Sequence, residues 1–412
     1  MLTVCLILFW LSLLVIAYTY VGYGLFMALA ARLWGRSTRS AEITPSVTVL
    51  VAAYNEAECI ANKIENTLTL DYPADKLELL VVADGSTDDT PAIVADYAAR
   101  HEAGVGYNVR LAYQPERRGK AHALARAYPL ATGEILVFSD ANSLFPPDIL
   151  RHMVRHFADP EVGGVGGAKR IMVASASVDA GAQGQGESLY WRYESQLKAW
   201  DSAVSSVMGV PGEVWAARRE AFRPAEEDAI IEDFVASLRL VEQGWRVVLE
   251  PRAIALEPPS PSLRAEWQRR TRMAAGGWQA FFRLPGLLRH PNRWIPFQYL
   301  SHRMLRWMVT PSLFVLLLLS NICLASRPFY AVILGLQGAF YLAALLGWLL
   351  ARSQPPPEGP PTEPSSYDQP RRGTFGRWLL APFYVVMLNA AALVGGWRFL
   401  RGRQSAVWQK VR

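Results

Sequence analysis

The chain has 412 residues, 51% of them apolar and 19% charged, with a formal net charge of +6. A charged share below the ~25% usual in soluble proteins points to membrane segments. Lys and Arg are spread along the chain and not striped, which argues against nucleic acid as a partner; the basic excess suits an anionic lipid surface or a phosphorylated substrate. Cys5, Cys59 and Cys323 follow no ligand spacing, so they read as reduced thiols without a metal knuckle.

Residues 2–31 carry no charge and exceed the roughly 20 apolar residues that a span needs. A cleaved signal peptide would want a basic start and a shorter apolar region. Arg32, Arg36 and Arg39 follow, so the positive-inside rule places the N-terminus outside and residue 40 onward in the cytoplasm. From 46 to 250, short β-rich runs alternate with helical patterns. Strands are expected at 46–53, 77–84, 109–114 and 134–140, with helices near 56–69, 88–101 and 119–131. That alternation predicts an α/β domain, a parallel sheet with helices on both faces. Its ligands would bind beyond the carboxyl ends of the strands.

Residues 262–308 set Arg, Trp and Phe on apolar helical patterns, as helices lying in a membrane interface do. Spans are expected near 309–326 and 329–351, separated only by Arg327. Residues 352–377 are a Pro-rich flexible loop, and 378–397 form a third C-terminal apolar segment. Arg371, Arg372 and Arg377 precede that segment. Arg398, Arg401, Arg403, Lys410 and Arg412 follow it. A crossing therefore puts one basic group outside, against the rule, and length alone favours the crossing. The expected division is 1–34 membrane helix, 45–260 cytoplasmic domain, 261–308 interfacial amphipathic helices, 309–351 two spans, 352–377 loop, and 378–412 final membrane segment with basic tail.

Four candidate features fall at expected strand ends. In AAYNEAE (52–58), Asn55 caps the next helix or the turn holds a flat ring or ribose. In ADGSTDDT (83–90), Asp84 ends a strand where it could accept from a base or ribose; Asp88 and Asp89 read as first-turn acids. In ERRGKAHAL (116–124), Gly119 and Lys120 start a helix after Arg117 and Arg118, which is either an anion site or a solvated basic turn. In SDANS (139–143), Asp140 and Asn142 offer one carboxylate and one neutral carbonyl. With a substrate diphosphate that set is sufficient for Mg2+ or Mn2+; the alternative is an Asx turn. Two more stretches follow. SVMGVPGEVWAARREAF (206–222) holds Gly209 and Gly212 before a strand-like run. In EEDAIIEDFVASLRLVEQGWRV (226–247), Glu232 and Asp233 open a helix, as dipole partners or with one acting as general base.

In this order, AAYNEAE, ADGSTDDT, RRGKAHAL, FSDANSLFPPD, GVPGEVWAARREAF, IEDFVASLRLVEQGW and RRTRMAAGG resemble the membrane-bound family 2 glycosyltransferases. That group includes cellulose, hyaluronan, chitooligosaccharide and poly-N-acetylglucosamine synthases. The resemblance covers about residues 46–310. It implies an A-type glycosyltransferase (Rossmann-like) cytoplasmic domain flanked by transmembrane and interfacial helices. It also implies inversion at the sugar carbon and a nucleotide-sugar donor, usually a UDP-sugar. Tyr54, Glu56 and Asp84 match nucleotide-contacting positions, and Lys120 matches a donor contact near the diphosphate. Asp140 matches the first acid of the metal motif, with Asn142 where the second acid usually stands. Asp233, after Glu232, matches the base of the Glu-Asp motif. Arg269 and Arg272 match a Gln/Arg-x-x-Arg-Trp motif whose Trp is here Met273. The function implied is extension of a polysaccharide by a multi-pass enzyme of the inner (cytoplasmic) membrane, in contact with membrane lipids and with room for accessory proteins. The alternatives are single-sugar addition to a lipid or lipid-linked acceptor and, remotely, a non-catalytic membrane scaffold.

Overall fold

The computed structural model describes residues 2–102, 108–171, 182–258, 260, 262–353 and 377–407. A 33-residue helix opens the chain, α1 (Leu2–Trp34), interrupted by a π turn at Tyr18–Gly22. Then β1 (Val47–Ala53), α2 (Ile60–Leu68), β2 (Leu77–Asp84), α3 (Thr90–Glu102), β3 (Asn108–Gln114), α4 (Lys120–Ala127) and β4 (Ile135–Asp140) follow in the expected alternation. Both faces of β1, β2 and β4 are buried, as their apolar runs require, while the edge strand β3 is only partly covered. Val47, Val49 and Val51 enter one core with Ile60 and Ile64 of α2, while Leu50 enters the opposite core with Ala123 and Leu124 of α4.

After α5 (Ile149–Val154) come β5 (Val162–Ile171), α6 (Ala182–Val204), β6 (Trp215–Arg218), α7 (Glu232–Glu242) and β7 (Arg246–Glu257). The seven-stranded sheet has the order β3-β2-β1-β4-β6-β5-β7. Its first four strands are parallel, as the sequence predicts. β6 runs antiparallel to β4 and β5, which the sequence reading did not foresee. Phe138 near the end of β4 pairs with Trp215 at the start of β6. The chain thus enters β6 from the carboxyl end of β4 without a helical crossover, which keeps residues 205–214 on the ligand side of the sheet. β5 and β7 are parallel and also end on that side.

Among the described residues, four helices are long and apolar enough to cross a membrane. They are α1, α9 (Trp294–Leu324), α10 (Pro328–Ser353) and α11 (Arg377–Leu400). α9 differs from expectation: its helix runs unbroken from Trp294 through a π segment, Tyr299–Val309, so the Arg- and Trp-rich stretch is the lower part of the span helix. α8 (Leu263–Arg283) buries Arg270, Thr271, Ala274 and Ala275 and packs along α11. The approach is close, since a Cβ on Gly395 of α11 would lie 2.4 Å from the Thr271 carbonyl oxygen. Small residues at helix contacts permit such spacing in membrane proteins. Beyond α11 the chain returns to the carboxyl-end side of the sheet, where Val407 lies against Gly119. Residues 354–376, most of the expected Pro-rich loop, lie outside the described residues.

Candidate active site

The loops after β1 and β2 are laced together by backbone donors and short polar side chains. Asn55 adopts a positive φ of 53°. Its Oδ1 accepts from the Thr87 amide at 2.8 Å, while its own amide donates to Ser86 Oγ. It therefore does not cap α2, whose N-cap residue is Cys59; the left-handed turn sends the side chain across to the next loop. Asp88 accepts from the Ala57 and Thr90 amides, a structural use that agrees with its reading as a helix-start acid. Asp84 is buried, and its carboxylate accepts from the amides of Arg118 and Gly119. It shapes the basic turn at the start of α4. Half-buried Tyr54 lies under the Arg117 guanidinium at 3.6 Å from the ring centroid, and half-buried Glu56 accepts from Cys59 Sγ. Tyr54, Glu56, Asp84 and the α4 turn are thus assembled at the carboxyl ends of β1 and β2.

Lys120 joins two of the predicted motifs. Its Nζ lies 2.6 Å from Asp140 Oδ1 and 3.1 Å from Glu232 Oε1. Burial works to lower its pKa, but the charges of Asp140, Glu232 and Asp233 outweigh this and hold it well above the usual lysine value. Glu232 goes the other way: burial would raise it, and Lys120 and Arg272 bring it below the normal carboxylate range. Asp233 differs from both. Burial first, then the charge of Glu232, pushes it up to about 7, against the pull of Lys120. A helix N-terminus ordinarily favours the carboxylate form, so here desolvation and the acidic neighbour win. Lys120, Leu124, Phe138, Trp215, Phe222 and Asp233 line one narrow cleft with largely apolar walls. Glu232 and Asp233 thereby occupy adjacent positions with opposite proton affinities, the pattern expected of an acid–base site.

Glu213 was not singled out from the sequence, although it lies inside a quoted motif. Carboxylate oxygens of Asp140, Glu213 and Glu257 fall within 4.8 Å of one another. Lys169 of β5 lies 3.0 Å from Glu213 and also bonds Glu257. Burial would raise Glu213, yet Lys169 brings it down to about 2. Beneath this group Lys63 is fully buried, donates to the Ser143 carbonyl at 2.8 Å and stands over the Phe145 ring. Its burial lowers it to about 7. Ser143 in turn donates to Glu257. The 140–143 turn is thus held from below by α2 and β7. Hard oxygen donors, with Asp140 partly exposed and Asn142 exposed, fit Mg2+ or Mn2+.

The arginine motif divides. Arg272 Nη1 donates to the Ile230 carbonyl and faces Glu232 electrostatically. Arg269 is bound to Glu266 at 2.7 Å beside Arg270. Met273 packs against the core, and Trp278 lies against Gly396 and Phe399 of α11. The aromatic ring next to α7 is instead Trp307 of α9, 5.2 Å from the Phe234 ring. Its spacing from the motif, on a different helix, left no signal in the sequence.

Residues 48–223 match the model of the family described as Glycosyl transferase family 2. Beta-monoglucosyldiacylglycerol synthase of Nostoc sp. is 30% identical over 244 residues, 58% of this chain and 50% of that protein. Poly-beta-1,6-N-acetyl-D-glucosamine synthase of Staphylococcus epidermidis is 26% identical over 242 residues, 58% of this chain and 56% of that protein. The aligned part is thus about half the length of these curated relatives. Among solved structures, the mannosyltransferase PcManGT of Pyrobaculum calidifontis, in complex with GDP-Man and Mn2+, superposes with a TM-score of 0.71. It covers 96% of this chain and 100% of its own at 24% identity, a likeness of fold.

Proposed function

We propose, from the premise that the chain carries a family 2 glycosyltransferase domain, that it transfers one sugar at a time from a nucleotide-sugar donor to an acceptor held at the membrane, with inversion. The observation that carries this reading is the placement of Asp233 beside Glu232 and Lys120 in one cleft, with Lys120 bonded to Asp140 at the carboxyl end of β4. Asp233, with its pKa near 7, takes the proton of the acceptor hydroxyl as the new C–O bond forms. The bond from the sugar carbon to the diphosphate oxygen breaks from the opposite side, and no enzyme nucleophile is needed. Lys120 and Arg272 stabilise the negative charge of the leaving nucleoside diphosphate. Tyr54, Glu56 and Asp84 frame the nucleotide pocket. Asp140 and Asn142 would hold Mg2+ or Mn2+, which supplies positive charge at the diphosphate when bound. Arg269 supports this wall through Glu266.

The division of the chain follows: α1 anchors a cytoplasmic domain, α8 and the lower part of α9 lie under it, and α9 to α11 meet the lipid. The donor is read as a UDP-sugar. A growing glycan is the first reading of the acceptor, as the resemblance to polysaccharide synthases implies. A single lipid acceptor is the second, favoured by Met273 in place of the Trp of polymerising relatives and by the similarity to glucosyldiacylglycerol synthases. Purified enzyme incubated with UDP-glucose, UDP-N-acetylglucosamine, UDP-galactose or GDP-mannose, each with Mg2+ and with Mn2+, tests both. A ladder of products under excess donor supports the glycan, one sugar on lipid supports the second reading, and no transfer from any donor contradicts both.

A further inference from the structure

Arg303 belongs to α9, a helix long enough to cross a membrane, yet its side chain ends inside the catalytic domain. It is 5% exposed. Its Nε donates to the Met208 carbonyl, and Nη1 lies 2.6 Å from Glu194 Oε1. The guanidinium carbon stands 5.8 Å from the Phe234 ring centroid and 5.6 Å from that of Trp307. These partners border Asp233 on two sides. Phe234 is the next residue along α7, and Met208 begins the loop that crosses in front of the base. That loop has no slack: a Cβ on Gly209 would stand 2.3 Å from the Phe234 ring, and one on Gly212 would stand 2.9 Å from Asp233 Oδ2.

Arg303 lies in the π segment. Within Tyr299–Val309 the residues Ser301, His302, Arg303, Met304 and Arg306 are all buried. π turns occur often at functional sites. The same face continues the polar chain away from the base. Glu194 of α6 also lies 2.9 Å from Arg306. His302 bonds Asp201, one turn pair along α6, at 2.6 Å, and Asp201 accepts from the Tyr23 hydroxyl of α1 at 2.5 Å. Buried contacts therefore run from the first membrane helix, through α6 and α9, to the loop and ring that enclose Asp233.

We propose that Arg303 is a positioning residue: through Met208 and Phe234 it fixes where Asp233 stands, and so ties the seating of α1 and α9 to proton transfer. This rests on the reading of Asp233 as base. The plainer alternative is a packing tie, in which a buried Arg–Glu pair holds two helices and nothing more. The two differ in what they leave untouched. A packing tie affects melting but not the turnover of each folded molecule; a positioning residue affects turnover and its pH dependence.

The full chain in lipid nanodiscs is compared with Arg303→Gln, Arg303→Lys, Tyr23→Phe and Asp233→Asn. Transfer rate per folded enzyme, donor dissociation constant and the acid limb of the kcat–pH curve are measured. A displaced base should cost about 100-fold in kcat. Arg303→Gln is thus expected to lose about that factor with donor affinity within threefold, and to shift the acid limb. Lysine keeps the charge but lacks the planar fork whose Nε and Nη1 reach Met208 and Glu194 in fixed directions, so Arg303→Lys recovers only part of the rate. Tyr23→Phe gives a smaller loss with the same shift of the limb. Arg303→Gln with kcat within threefold and an unmoved limb, beside an inactive Asp233→Asn, overturns this inference alone. Should Arg303→Gln not fold, Arg303→Lys and Tyr23→Phe at wild-type kcat and pH profile overturn it equally. An active Asp233→Asn removes the base reading and this inference with it.

Discussion

Asp233 and Glu232 show how two neighbouring carboxylates acquire opposite characters. Lys120 and Arg272 take up the charge of Glu232, while Asp233 is left partly desolvated beside a negative neighbour. A base must be deprotonated to act, so the transfer rate should rise with pH through about 7 and level above it, in initial rates from pH 5.5 to 8.5. Stability has the opposite sign. With a folded pKa near 7 against 3.8 for the free group, the folded chain holds a proton that the unfolded chain has released, and the wild type loses stability as pH rises between the two values. Asp233→Asn should therefore melt higher than wild type at pH 8, and the gain should fade as pH drops toward 4; thermal unfolding at both ends checks it. At Asp140 and Asn142 the account predicts asymmetry. Asp140→Ala should abolish transfer, and Asn142→Ala should mainly raise the Mn2+ concentration needed for half-maximal rate, as read from metal titrations. Equal and mild effects would return the stretch to an ordinary turn. Asp84, Lys120, Asp140 and Asp233 were legible because each stands at a strand end or helix start in a known order. Glu213, Lys169, Lys63 and Arg303 were not, because only tertiary contact brings them to those motifs.

At the scale of elements, the buried parallel strands could be read from their continuous apolar runs, since both faces of β1 and β2 meet a core. The direction of β6 could not: its strand-like run was visible, but its antiparallel course is set by pairing with β4 and β5, far away in sequence. Its antiparallel entry keeps residues 205–214 at the site, and Gly209 there has φ 94°. Gly244 has the same φ with open space around it. Gly244→Ala should thus cost only the backbone strain, about 1 kcal/mol, at the low end of the range for such positions. Gly209→Ala adds a clash with Phe234, so it should destabilise more in denaturant unfolding and should also lower kcat. Similar losses at the two glycines would show that the loop yields more easily than its packing implies.

For the whole molecule, the two basic groups around α11 conflict with a simple crossing, and the sequence has only length to decide by. The fold adds a contact: the tail after α11 brings Val407 against Gly119 at the start of α4. The tail is thus expected on the side of the sheet domain, as the basic residues on both flanks of α11 also require. With the native cysteines replaced, Ser40→Cys and Arg403→Cys should react with a membrane-impermeant maleimide from the same side; opposite sides would return α11 to a full crossing. The four apolar helices and the order of the candidate motifs were readable in the sequence, whereas the seating of α9 under Asp233 was not, because the Arg- and Trp-rich pattern of 294–308 serves an interface and a buried polar seam equally well. Above these questions stands the claim that this chain transfers sugar from a nucleotide-sugar with Asp233 as base. The most direct test measures donor binding and transfer together for wild type and Asp233→Asn. The account predicts equal donor affinity and a transfer rate reduced about 1,000-fold in the variant, within the range for loss of a general base; transfer within tenfold of wild type would contradict it.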